Sequence, residues 1–352
     1  MLKLLLITLV ILTFNSGHAV EKQDYKEVLR NLESQLLLDL SASREQLNKL
    51  SSQVPQFDKV ELFHYTILDA HLAVMESKLA LGEEKLLGLK EEGIPAGLKA
   101  IRFMLLASIY HHKGDSVAAF VYTDKALALL NAIKVDKYKF RVLNNTVSRY
   151  KDADLLEFAL EYGRQAYRLA NKIKDDNAIC ASSFELASIE ILASKYNIAE
   201  NRLMATRKYC EKANNILFLY AVQHSLLELN IKLGRIKEAR ELAETLLPKV
   251  VDYGWNVLTS STYTLFGEVA LAESNLEQAK EYGQKGYALA LKINDKKRLE
   301  NAAGLLAKIY TETKENQEAI KYYKKYMEMN VENKTRVRQR KLAFDIARRG
   351  SI

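Results

Sequence analysis

From residue 100 onward, apolar and polar positions recur with a period of forty residues, six times over and without an insertion. Counting each unit from position 1 at residues 100, 140, 180, 220, 260 and 300, position 20 is always alanine: Ala119, Ala159, Ala199, Ala239, Ala279 and Ala319. Position 8 is small or aliphatic (Ala107, Val147, Ala187, Leu227, Gly267, Ala307), and position 7 is mostly large and apolar (Leu106, Leu186, Leu226, Phe266, Leu306). Tyrosine stands at position 11 in Tyr110, Tyr150 and Tyr310, and a turn residue at position 15 in Gly114 and Gly234. Positions 7, 8 and 11 make one helical stripe and positions 20, 24 and 27 a second, after the break near 15. The pattern predicts two antiparallel helices per unit, brought close by the small residues at 8 and 20. One such hairpin cannot bury both of its faces, so neighbouring units must stack.

The duplication is visible by eye. DLLEFALEYGRQAYRLANKIKDD at 154–176 is answered 120 residues later, three periods on, by SNLEQAKEYGQKGYALALKINDK at 274–296. The spacing resembles the tetratricopeptide repeat, whose small-Tyr-Gly-Ala signature fits LLASIYHHKGDSVAAFVYTDKAL at 105–127 and KLGRIKEARELAETLL at 232–247. That resemblance implies an all-α fold, a TPR-like α-solenoid of stacked helical hairpins. A forty-residue unit in place of about 34 residues makes each hairpin's helices longer by about a turn.

Upstream the register loosens. Residues 56–93 read as one more, degenerate pair, punctuated by Gly82 and by Gly93-Ile94-Pro95, and residues 22–53 as a shorter capping pair ending at Pro55. The expected division is a leader at 1–19, an N-terminal helical capping region with a degenerate repeat at 20–98, six repeats at 99–330 and a basic helix at 331–352.

Three prolines and fourteen glycines are few for 352 residues, which agrees with a nearly all-helical chain. The leader MLKLLLITLVILTFNSGHA carries Lys3, the apolar run Leu4–Phe14 and a small-x-small exit at Gly17-His18-Ala19. Charge, length and exit chemistry predict a Sec signal peptide, with the mature chain beginning near Val20 and residing in the periplasm or secreted. The alternative is an inner-membrane anchor left uncleaved. The formal charge of +8 is concentrated at the C-terminus: Lys334, Arg336, Arg338, Arg340, Lys341, Arg348 and Arg349 face only Glu332 and Asp345 across 331–349. The body between is nearly neutral, which excludes a nucleic-acid binder with a basic stripe on its folded surface.

No enzyme signature is present: no glycine-rich phosphate loop, no nucleophile elbow, no paired histidines at metal spacing. Adjacent His111 and His112 project about 100° apart on a helix and are expected to be solvated. No catalytic residue, metal site or cofactor is therefore assigned. Cys180 and Cys210 occupy positions 1 and 31 of one unit, and an antiparallel hairpin returns them to the same end. In an oxidising compartment they are expected to form a disulfide; two separately buried thiols are the alternative.

Stacked hairpins curve and present their first helices on the inner face, where TPR proteins hold extended peptides or partner helices. Position 9 there reads Ser108, Ser148, Ser188, Glu228, Glu268, Lys308, and position 5 adds Met104, Asn144, Phe184, His224 and Thr264, with Arg141, Asn145 and Lys151 nearby. The candidate ligand-binding residues are Asn144, Ser148, Phe184, Ser188, His224, Glu228 and Glu268, lying across units two to five; the alternative for each is a solvated face residue. Trp255, at a helix junction beside Gly254, is read as a packing wedge. The expected function is an exported, non-enzymatic scaffold that binds a peptide, protein or small ligand.

The order of features goes further. A leader, a loose first pair joined through EEGIPAGLKA, the phrases FMLLASIYHHKGD, RVLNNTVSRYKDADLLEFALEY and GLLAKIYTETKENQEAIKYYKKYMEMN, and the basic TRVRQRKLAFDIARR resemble the extracytoplasmic TPR sensor region of membrane-bound diguanylate cyclases across residues 20–349. In that family the basic helix leads to a membrane span and a GGDEF catalytic domain, and this chain has neither motif. The resemblance implies a second reading, a sensor or regulatory module of a cyclic-dinucleotide system, stand-alone or truncated. It also implies an exposed tail at 331–349, free to pair with a second copy as a homodimer, to rest on an anionic lipid surface, or to fray.

Overall fold

A computed structural model describes residues 25–36 and 40–350; the leader lies outside the described residues. The described chain is built of helices, in the order α1 (Tyr25–Gln35), α2 (Leu40–Leu50), α3 (Lys59–Met75), α4 (Leu79–Leu87), α5 (Ala96–Lys113), α6 (Ser116–Ala128), α7 (Asp136–Asp152), α8 (Leu156–Ile173), α9 (Asp176–Leu192), α10 (Tyr196–Lys212), α11 (Ile216–Lys232), α12 (Ile236–Tyr253), α13 (Asn256–Ala272), α14 (Leu276–Lys292), α15 (Lys296–Glu312) and α16 (Asn316–Gly350). Short 3-10 turns follow α2 and α6. From α5 on, the helices pair as hairpins, each packed on the next. The fold is all-α and TPR-like.

The forty-residue pattern maps onto contacts that recur. The alanines at position 20 are buried in all six units, four of them fully, so each first helix can lie against the second with no side chain between them. Tyrosines at positions 11 and 23 stack in three units: Tyr110 on Tyr122, Tyr150 on Tyr162 and Tyr310 on Tyr322, at 5.4, 5.5 and 5.4 Å between ring centres. The duplicated Glu-Tyr-Gly has a packing cause. A Cβ on Gly163 would come within 2.9 Å of Leu186 Cδ2, and one on Gly283 within 2.9 Å of Leu306 Cδ2. Each glycine admits the position-7 leucine of the following unit.

Turns fall at positions 15 and 35. Position 15 is left-handed in every unit, at Gly114 and Gly234 as expected and also at Asp154, Ser194, Ser274 and Lys314. Lys174, Asn214, Gly254 and Asn294 do the same at position 35. The residue one place on supplies many N-caps: the carboxylates or amides of Asp115, Asp175, Asn215, Asn275 and Asp295 accept backbone N–H bonds from the first turn of the following helix. Trp255 packs partly buried against the α12–α13 core, as a wedge.

Three features depart from the sequence reading. Gly82 is no break: it lies inside α4, where a Cβ would meet Val74 Cγ2 at 3.1 Å and the Ala70 carbonyl at 3.3 Å, and its bareness lets α4 lie close on α3. The basic tail is no separate element either. α16 runs unbroken through residue 330 for 35 residues, about 50 Å at 1.5 Å per residue. Nor is that tail free along its whole length, although most of it is exposed or half-buried. Its far end folds back on α6, near the start of the array, with Ala343, Phe344 and Ala347 buried. Phe344 enters an aromatic box of Phe120, Tyr150 and Phe158, at 5.4, 5.5 and 5.2 Å, and the Arg348 guanidinium lies over its ring at 5.4 Å. The tail's one phenylalanine is thus committed inside the chain and not offered to a lipid surface or a second copy. The apolar run 343, 344, 347 is too short to read as a buried stripe from sequence; its partner lies some 200 residues away.

The two cysteines are joined. Cys180 in α9 and Cys210 in α10 are fully buried, their Cα atoms 5.0 Å apart, in a disulfide that clips one hairpin. Replacing both by alanine is expected to lower unfolding stability by about 2–4 kcal/mol, most of it through the unfolded chain. Urea titrations with and without reductant check this; midpoints unmoved by both treatments contradict it.

Candidate functional site

Curvature follows from which helices touch. Each first helix meets the first helix of the next hairpin, α5 to α7, α7 to α9, α9 to α11, α11 to α13 and α13 to α15, whereas successive second helices scarcely meet. The closer row is the inner one, so α5, α7, α9, α11, α13 and α15 line a concave wall. Position 9 lies on that wall half-buried at Ser108, Ser148, Ser188, Glu228 and Glu268, and exposed at Lys308. The bridging α16 narrows the hollow: the α5–α6 turn, the α14–α15 turn at Asn294, and Arg336, Gln339 and Arg340 share a crevice of about 690 Å³.

The first half of the wall is a polar network centred on α7. Ser148 donates to Glu185 Oε1 at 3.0 Å, and Lys151 Nζ pairs with Glu185 Oε2 at 2.6 Å. Asn144 is half-buried, and its Oδ1 has no partner. Arg141 pairs with Glu33 of α1, which also accepts from Tyr138 Oη at 3.0 Å and contacts His64 Nε2 at 3.2 Å. Burial alone would raise the Glu33 carboxyl, but the His64 hydrogen bond and the Arg141 charge hold it down to about 2. Beside this node α3, α5 and α7 enclose a cleft of about 240 Å³, with His71, Arg141, Asn145, Ser148 and Arg149 in its walls. Burial and the Arg141 charge push His71 down to about 4, so its imidazole is neutral at pH 7.

The second half, on α11 to α15, is more acidic. His224 Nε2 lies 2.9 Å from Ser261 Oγ, and desolvation inside the hollow lowers its pKa to about 4. Glu228 pairs with Lys232 one turn on, at 3.4 Å. Burial and neighbouring Glu228 raise the Glu268 carboxyl, against the pull of Lys308.

The candidate residues therefore divide by what they already do. Asn144, Ser148, His224, Glu228 and Glu268 stand on the wall as polar groups. Ser188 turns back to the Phe184 carbonyl at 3.0 Å, the common fate of a helical serine. Phe184 packs edge-on to Phe218 at 5.4 Å and against the α9–α11 core. Thr264, on the same sequence track, is buried and bonds the Ser260 carbonyl, so it does not face the hollow.

His111 was expected to be solvated. It lies instead in the cleft wall, its Nε2 3.3 Å from Asp152 Oδ2, while His112 is exposed. Arg149 escaped the sequence reading, although a signal was there. Position 10 is Ile109, Ile189, Leu229, Val269 and Ile309 in the other five units, an aliphatic column broken by one guanidinium. Asp152 and His71 carry no comparable mark. Among the described residues no three His, Cys, Asp or Glu gather as metal ligands, and no helix is long and apolar enough to cross a membrane.

No family model and no curated protein matches the chain. Solved structures match its fold. A Rap protein complexed with Competence and Sporulation Factor aligns with a TM-score of 0.64 at 13 % identity, over 89 % of this chain and 97 % of that one. Aspartyl phosphate phosphatase F from Bacillus subtilis aligns with a TM-score of 0.61 at 16 % identity, over 89 % and 85 %. NprR in complex with its cognate peptide NprX aligns with a TM-score of 0.56 at 14 % identity, over 93 % and 83 %.

Proposed function

We propose that this chain is a peptide-binding receptor that holds an extended peptide along its concave wall and carries out no chemistry of its own. The observation that carries the reading is the continuous inner wall of α5 to α15, whose polar groups are divided between a mixed-charge network on α7 and an acidic stretch on α11 to α13. An unsatisfied Asn144 Oδ1 and half-buried Ser148, His224 and Glu228 are groups that a peptide backbone can pair with. The whole-chain likeness to NprR in complex with its cognate peptide NprX supports the same reading.

The receptor is proposed to work outside the cytoplasm. The apolar leader at 1–19 and the buried Cys180–Cys210 bond, of a kind oxidising compartments maintain, support that location. A sensor module feeding a diguanylate cyclase is a finer form of the reading that rests on the sequence resemblance alone.

Passing a random octapeptide mixture over the immobilised chain, and identifying what is retained by mass spectrometry, tests the proposal. A sequence-biased pool is expected, with retention reduced at least tenfold in the triple variant Asn144→Ala, His224→Ala, Glu228→Ala. Retention unchanged in that variant, with its fold intact by circular dichroism, moves the site off this wall.

A further inference from the structure

Arg149 stands where the repeat demands an aliphatic side chain. The six position-10 residues are all buried, Arg149 at 8 % exposure among aliphatic neighbours at 3 % or less. A guanidinium in such a place is costly unless its donors and charge are met. Arg102, the chain's other arginine at comparable depth, meets them: it donates to the Leu86 carbonyl at 2.6 Å and pairs with Glu91. Arg149 does not. Its Nη1 donates to the Ala107 carbonyl at 2.9 Å, its Nε has no partner, and it forms no ion pair among the described residues. Of the nearby charges, Arg141 pairs with Glu33 and Lys151 with Glu185; the Asp152 carboxylate acts on the guanidinium through space but makes no ion pair with it, its Oδ2 lying 3.3 Å from His111 Nε2. His71 across the cleft is neutral at pH 7. The guanidinium is thus left without a direct ion partner in the wall of a sheltered cleft whose other lining includes Ile101, Met104 and Leu105, with Asp152 also in that wall.

The geometry points to a carboxylate subsite at the α3–α5–α7 end of the wall: Arg149 receives a carboxylate of the bound peptide, and the adjoining side chain rests on Ile101, Met104 and Leu105. A planar guanidinium takes a carboxylate through parallel N–H bonds, and shelter from water strengthens them. About 240 Å³ holds one residue, so the subsite anchors one end or one acidic side chain of a longer ligand. The inference rests on the peptide-receptor reading and deepens it.

Three random octapeptide libraries separate the possibilities on the unmodified chain: free C-termini without Asp or Glu, amidated C-termini with Asp and Glu, and amidated C-termini without either. The third contains no carboxylate. Retention from the first or second library at least tenfold above the third is expected, the first assigning the carboxylate to the C-terminus and the second to a side chain. Arg149→Gln is expected to bring both down to the level of the third. Equal retention from all three libraries overturns the subsite while the peptide receptor stands, and so does a carboxylate preference that survives in Arg149→Gln. Nothing retained from any library removes both. If Arg149→Gln does not fold, the amidation comparison decides without it.

Discussion

Phe344→Ala is expected to release the last turns of α16 from α6 and to open the array. A buried phenylalanine cut to alanine costs about 3–5 kcal/mol, and here its ring contacts lie across the closure, with Phe120, Tyr150 and Phe158; Arg348, one turn on in α16, covers Phe344 and reaches Phe158. The remaining closure contacts are small. Ala343 and Ala347 bury little area, and Arg340 donates to the Asp152 carbonyl at 3.2 Å from a half-exposed position. A solenoid's stability is a sum of unit and neighbour terms, so the loss falls on the closure and not on the whole fold. Amide exchange across 336–350 and on α6 is expected to quicken by roughly two to four decades at about 1.4 kcal/mol per decade. The radius of gyration from X-ray scattering should rise in parallel. Exchange and scattering both matching the unaltered chain rule out a closing role for the tail.

Glu33→Ala is expected to cost a similar amount at the opposite end of the chain. Glu33 joins α1 to α3 through His64 and to α7 through Tyr138 and Arg141. Removing one partner of a buried charged pair strands the other, at about 3–5 kcal/mol. The contribution depends on pH with a definite sign. Because the Glu33 pKa is held down to about 2, below the ordinary carboxylate value, its stabilisation is complete above that ordinary value and is lost as pH falls toward 2. Urea titrations of the parent and Glu33→Gln should therefore differ widely at pH 7 and converge near pH 2. A gap that is constant over that range excludes Glu33 as the charged tie.

Much of this was legible in one dimension. The alanine column, the tyrosines at position 11 and the turn at 15 depend on contacts within a unit or with the next one, and such contacts repeat whenever the unit repeats. The cysteine pairing was legible for the same reason, since positions 1 and 31 of a single hairpin return to one end. Arg149 was also within reach, because a guanidinium in a column of isoleucine, leucine and valine is conspicuous once units are aligned.

Other elements could not be read this way. Phe184 and Thr264 share a sequence track with Asn144 and His224, yet one packs on Phe218 of the next hairpin and the other is buried against the bare Gly286 of α14; the side chains on the facing helices decide that. His111 meets Asp152 only because α5 and α7 lie side by side.

By itself the sequence determined the repeating hairpin, its close-packed alanine seam, its turns and the hairpin that carries the disulfide, because each is set by side chains within one period of one another. The tertiary structure alone decided that α16 returns to α6 and that Glu33 reaches Arg141, and with them the shape of the hollow. Those contacts span many units, and their geometry is the accumulated sum of small inter-repeat rotations that no local pattern encodes.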